Sequence, residues 1–123
     1  MRSWLSVVFV LAACGNDSVP RGDEGEPIPV DPSQCEDSFL DYQNFGEPFV
    51  LDWCRGCHSS TVPTNMRQNA PPDINFDTLD QVKQWNERIA VRAASTTPTM
   101  PPAGGPSGDE RALLAEWIAC GVK

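Results

Sequence analysis

The chain has 123 residues, five cysteines, one histidine and a formal net charge of -8. The acidic balance argues against nucleic acid as a partner, and the single histidine excludes any site that draws two imidazoles from this chain. Twelve prolines and nine glycines cut the sequence into short pieces, so one small domain is expected, of a size that core burial alone stabilises weakly.

The N-terminus opens with Met1, Arg2 and Ser3, followed by an apolar run from Trp4 to Ala13. That run is shorter than the roughly 20 residues needed to cross a bilayer and has the pattern of a secretory signal. Leu11-Ala12-Ala13-Cys14 resembles the lipobox of bacterial lipoproteins. The resemblance implies a signal peptide over residues 1–13, cleavage before Cys14 and a lipid on that cysteine. It places the protein on the periplasmic side of a bacterial membrane, with inner and outer membranes both open. Residues 14–34 then read as a disordered linker, because Pro20, Pro27, Pro29 and Pro32 alternate there with acidic residues and almost nothing is apolar.

Residues 35–123 read as the folded domain. Phe39, Tyr42 and Phe45 are too interrupted to assign. Gly46-Glu47-Pro48 opens a helix, with proline suited to the first turn and Phe49, Val50, Trp53, Cys54 and Cys57 recurring at helical spacing. That helix ends on Cys54-Arg55-Gly56-Cys57-His58, the C-x-x-C-H pattern at which haem is attached. Two thiols three residues apart lie on one face of a turn and can each add to a haem vinyl, and the adjacent imidazole of His58 is left for the iron.

Residues 59–75 are polar and broken by Pro63, Pro71 and Pro72, so they read as a loop. A second helix is expected from about Thr78 to Ala94, with Thr78 and Gln81 at capping-box spacing and Leu79, Val82, Trp85, Ile89 and Ala93 facing inward. Residues 96–108 hold four prolines and three glycines around Met100 and make a stiff loop. The last helix starts at Ser107, with Glu110 completing a capping box, and stops at Gly121; its apolar face is Leu113, Leu114, Trp117 and Ile118.

Cys35 and Cys120 remain, one at each edge of the domain. In an exported protein they read as a disulfide, against the alternative of two buried free thiols. Two other uses of the motif cysteines are weaker. A thioredoxin-like pair needs a strand-helix-strand setting. A zinc site from Cys54, Cys57, His58 and Cys35 would require adjacent residues to share one ion.

The domain resembles the small class I cytochromes c. The matching residues are Cys54, Cys57 and His58, then Met100-Pro101-Pro102 in a late loop, then Trp117-Ile118 in a closing helix. The resemblance spans roughly residues 35 to 121 and implies an all-α fold of about three helices around one covalent haem c. It also implies Met100 as the distal axial ligand and places Trp53 near Trp117. Beside it stands a physical case, since a thioether is a soft ligand that favours reduced iron and a rigid loop holds it in place. Met66 is the competing sulfur.

The expected function is electron transfer by a membrane-anchored monohaem protein, with redox proteins as partners, no substrate turned over and a monomeric state. Two alternatives stand beside it. One is a sensor of gas or peroxide, or a weak peroxidase, with a labile distal ligand. The other is a disulfide-stabilised surface lipoprotein without haem.

Overall fold

The computed structural model of the protein describes residues 24–123. The expected signal peptide and Cys14 lie outside the described residues. Five short helices carry the fold: α1 (Gln34–Asp37), α2 (Glu47–Trp53), α3 (Leu79–Gln84), α4 (Asn86–Ala93) and α5 (Gly108–Ala119). Among the described residues there is no strand, only an isolated bridge between Pro27 and Ser95. The all-α expectation therefore holds at the level of fold class.

Two of the helices, α3 and α5, begin where side chains satisfy their free N–H groups. Ser107 Oγ accepts from the Glu110 N–H at 3.2 Å and Glu110 Oε2 accepts from the Ser107 N–H at 2.8 Å, the reciprocal pair expected for α5. Thr78 and Gln81 do the same for α3. Proline sits in the first turn of α2, where its missing N–H costs nothing. α5 is followed by Gly121 at φ +99°, a left-handed stop that favours glycine.

Two elements depart from the sequence reading. The helix expected from Thr78 to Ala94 is broken at Trp85, whose N–H lies within reach of the carbonyls of Gln81, Val82 and Lys83. The backbone tightens there, and α4 starts again at Asn86. The segment around Tyr42, unassignable from periodicity, forms a single π turn over Tyr42–Gly46, closed at its start by reciprocal Asp41 and Asn44 bonds.

That π turn is the seat of the main core residue. Trp117 is fully buried, with Tyr42 and Phe45 as ring partners at 6.4 and 6.0 Å between centroids. Gly46 must be glycine here, because a Cβ would run into the Trp117 ring. Trp53 packs against this same core and over Gly105. Around Trp117 the core is completed by Leu40, Val50, Val82, Leu114 and Val122. Leu113, expected inward, is 40% exposed, and Arg111 takes its place among the buried residues of α5.

Cys35 and Cys120 form a disulfide, with Cα atoms 5.2 Å apart, that ties α1 to the end of α5. The stretch 24–34 differs from a free linker. The Ile28 N–H donates to Ala94 O at 2.8 Å and the Thr96 N–H to Glu26 O at 2.9 Å. Glu24 pairs with Arg88, and Ile28 and Val30 pack against the core. Composition alone gives such a stretch too little apolar surface to order itself. The Ala94 carbonyl and the Thr96 N–H, beyond the end of α4, supply the backbone partners that it lacks.

Candidate functional site

Cys54, Cys57, His58 and Met100 come together at one cleft made of two adjoining cavities of about 240 and 330 Å³. Cys54, His58 and Met100 line both; Cys57 lines the larger. The motif follows α2 as a tight turn in which the Cys57 and His58 N–H groups both donate to Cys54 O, at 3.1 and 2.9 Å. Neither Cys54 nor Cys57 is in a disulfide, and burial pushes the Cys54 thiol up to about 12.

His58 is held on several sides. Its Nδ1–H donates to Ile74 O at 3.0 Å, which leaves Nε2 as the bare ring nitrogen. The Phe76 ring lies 4.9 Å from the imidazole, and the Phe76 N–H donates to His58 O at 2.9 Å. Burial lowers the His58 pKa, the charge of Arg67 acts in the same direction, and the Ile74 bond opposes them. The neutral imidazole favoured by this balance is the form that ligates a metal.

Met100 lines both cavities from the proline-rich loop. The Thr99 and Met100 N–H groups both donate to Arg92 O at 2.9 Å. Arg111 reaches up from α5, its Nη1 donating to Ala93 O and, at 2.9 Å, to Met100 O, and its Nε donating to Pro106 O at 3.2 Å. Met66, the competing sulfur, is 64% exposed and lines neither cavity.

A second buried arginine supports the His58 side. Arg67 Nη2 donates to Ile74 O at 3.0 Å and to Pro71 O at 2.8 Å, Nη1 to Ser59 O, and Nε to Ala70 O at 3.3 Å. Neither arginine was singled out from the sequence. Arg111 carried a usable signal, since it sits at i, i+3, i+7 spacing with Leu114 and Ile118. Arg67 carried none, being one cation in an aperiodic loop.

The donor set and the lining suit a haem. Two free thiols, one imidazole nitrogen and one thioether face the cleft, and Ile74, Phe76, Trp85 and Ile89 give it apolar walls. Arg88 and Arg92 add positive charge to the smaller cavity. The zinc alternative loses a ligand, because Cys35 is committed to the disulfide. Among the described residues no three His, Cys, Asp or Glu side chains converge as a metal-ion site. No described helix is long and apolar enough to cross a membrane. Comparisons with protein-family models, with curated proteins and with solved structures found no match.

Proposed function

We propose that this protein is a monohaem c-type cytochrome with His58 and Met100 as axial ligands, and that it transfers electrons between redox proteins from a lipid anchor at Cys14. The observation that carries the reading is the convergence of Cys54, Cys57, His58 and Met100 on one apolar cleft. Bound there, a haem supplies a one-electron couple at its iron. Cys54 and Cys57, both free thiols, would hold it covalently.

The chain's own residues do the rest. The Nδ1–H of His58 is fixed on Ile74 O, so Nε2 is presented in one tautomer and one orientation. The Met100 loop is fixed by its N–H groups on the Arg92 carbonyl and by the Arg111 guanidinium on the Met100 carbonyl, which would keep a weak thioether ligand in place in both oxidation states. Ile74, Phe76 and Trp85 give the cleft apolar walls that would exclude water, and Arg92 and Arg88, the latter already paired with Glu24, line it with guanidinium groups.

Expression of the full chain in a host with haem-attachment machinery tests this reading. The expected product is a band that keeps its haem stain under denaturing electrophoresis and a low-spin spectrum. Met100→Ala should retain the haem and lose the methionine-to-iron charge-transfer band; an unchanged spectrum would remove Met100 from the ligand set. The reduced protein should ignore carbon monoxide, and rapid binding would instead favour a sensor or peroxidase.

A further inference from the structure

Arg67 is buried in the loop that follows the motif, and among the described residues its hydrogen bonds all go to backbone carbonyls: Ser59, Ala70, Pro71 and Ile74. Four donations from one guanidinium gather a stretch with little regular structure of its own. A generic structural strut would explain three of them. The fourth is different, because Ile74 O is also the acceptor of the His58 Nδ1–H.

We infer that Arg67 is a positioning residue for His58, acting through the shared Ile74 carbonyl, and that it raises the reduction potential of a metal bound at Nε2. The inference rests on the proposed haem reading. Two physical effects act in the same direction. A carbonyl already accepting from a guanidinium offers less to a second donor, so the imidazole keeps less anionic character and stabilises oxidised metal less. A fixed cation beside the ligand also favours the lower metal charge, and the effect is strengthened by the low effective dielectric of a buried site.

The test uses the haem-loaded full chain with Arg67→Gln and Arg67→Lys, and Lys83→Gln as a control that removes an exposed positive charge on α3. Arg67→Gln should lower the potential and shift the hyperfine-shifted ring signals of His58 in the oxidised protein. Arg67→Lys keeps the charge without the four-way geometry and should lower the potential less. Lys83→Gln should leave both readouts near wild type. Haem-bearing Arg67 variants whose potentials move no more than that of Lys83→Gln would overturn the inference and leave the carrier reading intact.

A wild type without covalent haem would instead sink the carrier reading itself. One arm needs no variant. In wild-type holoprotein the guanidinium protons of Arg67 and the Nδ1 proton of His58 point at one oxygen and should show a nuclear Overhauser contact. Its absence, with both resonances assigned, also overturns the inference.

Discussion

The side of the cleft that holds His58 is a helix end followed by a polar loop, and the side that holds Met100 is a run of prolines and glycines, yet each is fixed by one buried arginine. The arginines differ in where they come from. Arg67 belongs to the loop that it gathers, so the His58 side is braced locally. Arg111 belongs to α5, which also carries Leu114 and Trp117 into the core, so the Met100 side takes its rigidity from the core. The difference teaches that one cleft can have two kinds of support, and that perturbing the core should loosen the His58 and Met100 sides unequally.

The most severe way to break the comparison is His58→Ala. It removes the imidazole proposed to ligate the iron, and stable holoprotein should not accumulate; a normal yield of low-spin haem would contradict the proposed role. Next is the disulfide, which closes a separation of 85 residues and braces the end of α5. Replacing both Cys35 and Cys120 with serine should cost about 4 kcal/mol in denaturant unfolding. In the holoprotein the methionine-to-iron band should weaken before the His58 signals change; the reverse order would contradict the core-borne support of Met100.

A smaller effect is expected from Arg111→Leu, which strands the carbonyls of Ala93, Met100 and Pro106. The loss should be about 3 kcal/mol, accompanied by a more labile Met100 that admits carbon monoxide. A loss below about 1 kcal/mol would mean that these carbonyls find water instead.

The mildest change sharpens the picture of the His58 side. The Ser59 hydroxyl and the Ser60 N–H, which donates at 2.9 Å, hold the Asp77 carboxylate below the usual range, and Arg55 adds to the effect. A carboxylate with a lowered folded-state pKa stabilises the fold above its unfolded value and ceases to do so as pH falls through the folded one. Stability should therefore decline on acidification below the ordinary carboxylate range. Asp77→Asn should flatten part of that decline, and an identical pH profile in the variant would show that Asp77 contributes nothing to it.

What was legible in the sequence follows from how local each cause is. The capping boxes at Thr78 and Ser107, the proline-led α2 and the stop at Gly121 depend on neighbours within four residues and could be read directly. The C-x-x-C-H turn is local as well. The break at Trp85 and the π turn under Trp117 could not be read, because both are set by tertiary packing that overrides helical periodicity. Residues 26–30 looked like linker because their partners, Ala94 and Thr96, lie more than sixty residues away. The site residues of the motif were visible as chemistry; the carbonyls and arginines that orient them were not, since backbone acceptors leave no mark in a sequence.

On the proposed reading, Cys54 and Cys57 carry a covalent haem. Intact-mass spectrometry of the full chain, matured in a host with haem-attachment machinery, measures it most directly. The expected result is a mass raised by one haem, an increment lost when both cysteines are replaced by serine. A wild-type mass without haem, while a control cytochrome from the same host is fully loaded, would contradict it.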